Sequence, residues 1–287
     1  MTTLDSPLVS AEWLHDHITD PQVRVVDVRW YLTEPARGRV EYQESHIPGA
    51  AFVDLETELS SPRGQGPGRH PLPTPEAFRA VMERAGISND TVVIAYDSSG
   101  GSAAARLWWL LRYFGHSQVA LLNGGWQAWN AAGYPTTAEV PSFAAAQFTP
   151  TPQPDMLVDA DAVERQRNTP GTLLLDARAT ERYEGRIEPI DPKAGHIPGA
   201  RSAPFAGNLN ADGTLKSANE LRERYNALGA AQAEQIVCYC GSGVTAAHDV
   251  LALYLAGYSD AKLYEGSWSD WSSDPSRPVA TGEDTGA

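Results

Sequence analysis

Only two cysteines occur in the 287 residues, Cys238 and Cys240, and the second runs into Gly241-Ser242-Gly243-Val244-Thr245. Ile236 to Cys240 reads as a buried strand and the residues from Thr245 as a helix, so Cys240 falls where one stops and the other starts. Backbone N–H groups in such a loop can turn inward as an anion-binding nest, to which the positive end of the helix adds. A thiolate there is stabilised and becomes a nucleophile near neutral pH. Gly241 and Gly243 suit the role, because a residue with a β-carbon resists the dihedrals that wrap a chain around one sulfur. A free cysteine is otherwise often a small buried hydrophobe. That is the reading for Cys238, two residues back on the same strand, although side chains at i and i+2 share a face and leave a redox role open. The C-x-C spacing with no second pair does not match a zinc site, and no metal is expected.

The elements that must hold this loop come as a repeat. Val25-Val26-Asp27-Val28-Arg29 is echoed by Leu174-Leu175-Asp176-Ala177-Arg178, and His46-Ile47-Pro48-Gly49-Ala50 returns letter for letter as His196-Ile197-Pro198-Gly199-Ala200. Gly124-Gly125-Trp126 with Trp129 then matches Gly266-Ser267-Trp268 with Trp271. Within each copy, β-branched runs such as 91–95 and 235–237 alternate with helical stretches such as 103–114 and 245–256, the pattern of a mainly parallel sheet flanked by helices. The expected organisation is a domain over 1–138, a Pro-, Thr-, Ala- and Ser-rich linker over 139–154, and a second domain over 155–287 ending in a mobile polar tail from Pro275. In the first copy Asp97 stands where the cysteine would be. Because Asp27, Arg29, Asp176 and Arg178 recur in the copy without a nucleophile, they are assigned to maintaining the fold, as are His46 and His196.

In this order the landmarks resemble those of the tandem rhodanese family, and Cys240 to Thr245 resembles the loop of its 3-mercaptopyruvate sulfurtransferases. The resemblance runs from Val25 to Trp271 and implies an α/β fold of two tandem rhodanese-like domains, the first catalytically silent. It implies that Cys240 takes sulfur from 3-mercaptopyruvate as a persulfide and passes it to a thiol or to cyanide, with thiosulfate as the alternative donor and a non-catalytic binding module as the remoter reading. Thiosulfate-preferring members carry basic residues after the cysteine, where this chain has Gly241 and Ser242. Phosphatases of the same fold need an arginine six residues after the cysteine, and that position is Ala246. The resemblance further implies a proton-handling triad of Ser242, His70 and an acid assigned to Glu56, with Asp54 as the rival. It makes Arg182 the cation for the donor carboxylate and Trp30 a cleft aromatic. Gly241, Gly243, Val244 and Thr245 complete the substrate-binding set. A second family arginine would fall at Asp191, so Arg186 is the candidate substitute, although a solvated loop charge paired with Glu184 or Glu188 is the favoured reading of it.

Composition narrows the partners. With 22 Lys and Arg against 36 Asp and Glu, the formal net charge of −14 argues against nucleic acid and anionic membrane surfaces, so an anionic donor must be gathered by local cations. The first residues lack a signal peptide's basic head and apolar stretch, and no run is long enough to span a bilayer. A cytoplasmic monomer without cofactor is expected, and the acceptor stays open among thioredoxin, a small thiol and cyanide.

Overall fold

A computed structural model describes residues 2–283, 285 and 286. The chain forms two compact units, the first made of Met1–Ser61, Pro73–Gln153 and Ala211–Leu215, the second of Pro62–Leu72, Pro154–Asn210 and Lys216–Ala287. In the first unit, β1 (Leu8–Val9), β2 (Val23–Asp27), β3 (Ala51–Phe52), β4 (Val92–Tyr96) and β5 (Val119–Leu122) form one sheet in the order β1-β5-β4-β2-β3. In the second, β6 (Leu157–Val158), β7 (Thr172–Asp176), β8 (Ala200–Ser202), β9 (Gln235–Tyr239) and β10 (Lys262–Tyr264) take the order β6-β10-β9-β7-β8. All pairings are parallel and the two orders are the same, so the sequence repeat is a repeat of topology. Parallel strands covered on both faces must be apolar throughout, which is why β4 reads Val-Val-Ile-Ala-Tyr without alternation and is buried at every position. No helix among the described residues is long and apolar enough to cross a membrane.

The repeated motifs serve the fold as expected. Arg29 grips Asp27 at the end of β2 and donates to the Ser45 carbonyl, while Arg178 grips Asp176 at the end of β7 and donates to the Gly195 carbonyl. His46 and His196 bond the carbonyls of Tyr42 and Tyr183 through Nδ1 and stack on those tyrosine rings. Two stretches differ from expectation. The segment expected as a linker is held on the first unit, where Phe148 is buried against Phe78 and the amides of Thr151 and Gln153 donate to the carbonyls of Phe114 and Tyr113. The polar C-terminal stretch is bonded rather than loose: Ala280 and His196 exchange both backbone hydrogen bonds, and the Gly282 amide reaches the Glu184 carbonyl. A polar sequence predicts exposure but says nothing of the backbone bonds that can tie it down.

Ser267 shows how the second copy adjusts the scaffold. It is the one non-glycine at positive φ among the described residues, at 54°, where the first copy has Gly125 at 56°. At Gly125 a β-carbon would run into the Asp97 carbonyl oxygen. The serine is tolerated because its hydroxyl accepts from the Cys240 amide at 3.1 Å and donates to the Tyr264 carbonyl at 2.9 Å. The left-handed conformation costs about 1–2 kcal/mol, whereas orphaning a buried amide costs about 1–3 kcal/mol. Ser267→Gly therefore relieves the strain while losing the bond, and Ser267→Ala loses the bond and keeps the strain. In urea unfolding, Ser267→Ala is expected to be the less stable of the two by about 1 kcal/mol; the opposite order would refute the backbone strain at this position.

The helix Thr245–Leu255 carries a fully buried carboxyl, Asp249, which accepts from Asn208 Nδ2 at 2.8 Å. Burial pushes its pKa up to about 7 against the pull of Arg224 and Asn208. Since the folded value lies above the unfolded one, the carboxyl favours the fold fully below about pH 4, and that contribution is lost as pH rises through about 7. Asp249→Asn stays neutral, so its stability relative to the parent should rise by a few kcal/mol between about pH 4 and about pH 8. A difference constant across that range would contradict the assignment.

Candidate active site

At the end of β9 the chain turns through Cys240 and Gly243 and starts its helix at Thr245. The Gly243 amide, at φ 78°, donates to Cys240 Sγ at 3.2 Å. The cysteine carbonyl accepts from the Trp268 amide at 2.9 Å, so the peptide groups of Cys240 are fixed on both sides. Its side chain is buried, with the residue 2% exposed. The first unit shows what such a loop can hold. There the Asp97 carboxylate takes four amide N–H groups, from Ser99 at 2.7 Å, Gly101 at 2.9 Å, Ala103 at 2.8 Å and Ala104 at 2.9 Å. One backbone curl thus satisfies a whole negative charge.

The segment Pro62–Leu72 packs within the second unit. Gly68, at φ 71°, lies so close to Gly266 and Ser269 that a β-carbon would come within 2.8 Å of Ser269 Oγ. The Arg69 amide then donates to that hydroxyl at 3.0 Å, and the Leu72 amide reaches Glu265 at 3.3 Å. Pinned at both ends, the segment sets His70 Nδ1 2.6 Å from Ser242 Oγ, with both residues buried. With Nδ1 unprotonated the hydroxyl donates to it, the arrangement by which a histidine takes and returns a serine's proton. In the first unit, Glu56 Oε1 accepts from Trp30 Nε1 at 3.2 Å. Asp54, the rival acid, is occupied in a turn, accepting from the amide and hydroxyl of Thr57 at 3.0 Å each.

Arg182, on the short helix Thr180–Tyr183, donates to Glu188 Oε1 at 2.7 Å and to Asp191 Oδ2 at 3.1 Å. Glu188 in turn accepts from the amides of Ile190 and Asp191 at 3.1 and 3.0 Å, fixing the turn that presents Asp191. The other oxygen of Asp191 is taken by Arg69. A β-carbon on Gly241 would lie 2.8 Å from Arg69 Nη2 and 3.5 Å from Arg182 Nη1, so the bare glycine makes room for two guanidiniums at the residue after Cys240. Burial pulls the pKa of Arg69 down and pushes that of Asp191 up, each softened by the partner charge. Arg186, the candidate second cation, follows its other reading instead: the chain turns at Gly185, and Arg186 is an exposed side chain bonded to Glu184. The sequence reading missed Arg69 and Glu188. The available signal was Asp191 itself, because a carboxylate amid apolar neighbours requires a cation.

Residues 10–132 and 159–274 each match the rhodanese-like domain family. A Pseudomonas aeruginosa protein named as a probable 3-mercaptopyruvate sulfurtransferase is 46% identical over 279 residues, spanning 96% of this chain and 98% of that one. Thiosulfate sulfurtransferase of Rattus norvegicus is 37% identical over 273 residues, spanning 92% and 91%. Among solved structures, SseA from Escherichia coli, a 3-mercaptopyruvate sulfotransferase of rhodanese fold, aligns with a TM-score of 0.82 at 33% identity over 92% of this chain and 99% of its own. Two domain matches, one strand order used twice and near-complete coverage of these relatives agree: the chain belongs to the rhodanese family and carries two rhodanese-like domains in tandem.

Proposed function

We propose that the chain is a sulfurtransferase that takes sulfur from 3-mercaptopyruvate onto Cys240 and passes it to a thiol or to cyanide in the reducing cytoplasm, where free thiols persist. The observation that carries the reading is the 2.6 Å contact between His70 Nδ1 and Ser242 Oγ, two residues from the nucleophile. The Cys240 thiolate attacks the donor sulfur, an S–S bond forms, and the C–S bond breaks with its electron pair going to carbon as the enolate of pyruvate. The donor's S–H proton is taken up through the Ser242 hydroxyl and His70 and delivered to that carbon. Cys240 is left as a persulfide anion beside pyruvate, with no net proton gained or lost. An acceptor thiolate or cyanide then attacks the outer sulfur, forms a new bond to it, and returns Cys240 as the thiolate.

A thiosulfate donor is the second reading, favoured by the two guanidiniums near Gly241 and by the rat relative's name. It differs at one step: sulfite leaves with its electron pair and needs no proton on carbon. The Ser242–His70 pair therefore distinguishes the donors. Incubation with 3-mercaptopyruvate should add one sulfur atom to the intact mass, located on Cys240, with one pyruvate released per enzyme; an unmodified thiol without pyruvate would end the sulfurtransferase reading. Ser242→Ala should lower turnover of 3-mercaptopyruvate by about 100-fold or more, the usual worth of positioned proton transfer, and that of thiosulfate by less than about tenfold. Equal losses with the two donors would remove Ser242 from the proton path.

A further inference from the structure

Arg69 and Arg182 both face the backbone of Gly241, the residue after the nucleophile, at 2.8 Å and 3.5 Å from where its β-carbon would stand. They share one carboxylate. Asp191 gives Oδ1 to Arg69 and Oδ2 to Arg182, one oxygen to each guanidinium, which is how a small carboxylate ligand would bridge them. All three side chains are largely out of water, Asp191 at 3% exposure, Arg69 at 10% and Arg182 at 15%. Burial opposes the charges of Asp191 and Arg69, so the pair is costly to keep. Among the described residues the buried Arg69 Nε–H meets no acceptor, leaving one donor of the guanidinium fork unused. Glu188 separately anchors Arg182 through three contacts of 3.3 Å or less, so Arg182 keeps its place whether or not Asp191 does.

We propose that Arg69 is the second guanidinium of the site that binds the donor's carboxylate beside Cys240, and that Asp191 is a resident carboxylate whose place the donor takes. Arg69 and Asp191 together then set the affinity for the donor. The inference rests on the sulfurtransferase reading for the identity of the donor, but its test does not depend on turnover.

Pyruvate, the desulfurated product, serves as the probe, and its protection of Cys240 from alkylation by neutral iodoacetamide is followed by intact mass and peptide mapping of the full chain. Arg69→Lys keeps a charge but loses the fork, and should raise the half-protecting pyruvate concentration about tenfold, with a matching rise in KM for 3-mercaptopyruvate. Asp191→Asn should lower that concentration at least about threefold by vacating the site. Arg186→Ala should shift it less than about twofold, as expected of an exposed pair. Because changing Arg69 alone could unbalance the fold, Arg69→Lys is also tested with Asp191→Asn, and the double variant should bind pyruvate about tenfold more weakly than Asp191→Asn alone. Protection unchanged by Arg69→Lys in both backgrounds, weakened by Asp191→Asn, or absent in the parent protein would overturn the inference. If the parent still gains sulfur from 3-mercaptopyruvate in those cases, the sulfurtransferase reading survives; if it gains none, that reading falls by itself.

Discussion

Both units rest on one backbone arrangement, a strand that ends and a helix that begins within a few residues, so that amide N–H groups converge on the side chain between them. The first helical amides have no carbonyl of their own, and buried amides must be satisfied by something. In the first unit the Asp97 carboxylate answers that need with two amides of the first helical turn, from Ala103 and Ala104, and takes two more from the loop, from Ser99 and Gly101. In the second unit the position belongs to Cys240, whose sulfur accepts from the Gly243 amide. The scaffold is common to both, and the residue at the centre of the curl decides whether the loop closes on a carboxylate or holds a sulfur.

A second constraint is the charge buried around that loop. Asp176 at the end of β7 holds Arg178, Arg178 also reaches Glu188, Glu188 holds Arg182, and Arg182 shares Asp191 with Arg69. Signs alternate along the whole series, as they must where lone ions would pay heavily for leaving water. The first copy has the same opening pair, Asp27 with Arg29, and Arg29 then approaches Glu41 at 4.0 Å. A motif that maintains the strand end in one copy is, in the other, the root of a network ending beside Gly241, next to Cys240 in the loop.

The repeat also shows what a loop must satisfy to change its chemistry. Gly125 and Ser267 share nearly the same left-handed φ, and each precedes a tryptophan whose amide bonds the carbonyl of Asp97 or Cys240 at 2.9 Å. The serine accepts the strain and in return gives the Cys240 amide an acceptor.

The sequence by itself determined the two-domain α/β plan, the copy that carries the cysteine loop, and the roles of the Asp-x-Arg and His-Ile-Pro-Gly motifs. Those signals are local or repeated: hydrophobic runs, a glycine loop within six residues, and motifs that return in order. The resemblance to the family, rather than spacing, singled out Ser242, His70 and Arg182 as site candidates. Only the tertiary structure decided the 2.6 Å distance between His70 and Ser242, that Arg69 rather than Arg186 joins Asp191 across 122 residues, and that Ala280 and Gly282 of the polar C-terminal stretch are bonded down. Charged side chains pair with whatever opposite charge the fold brings within a few ångströms. Separation along the chain carries no record of that distance.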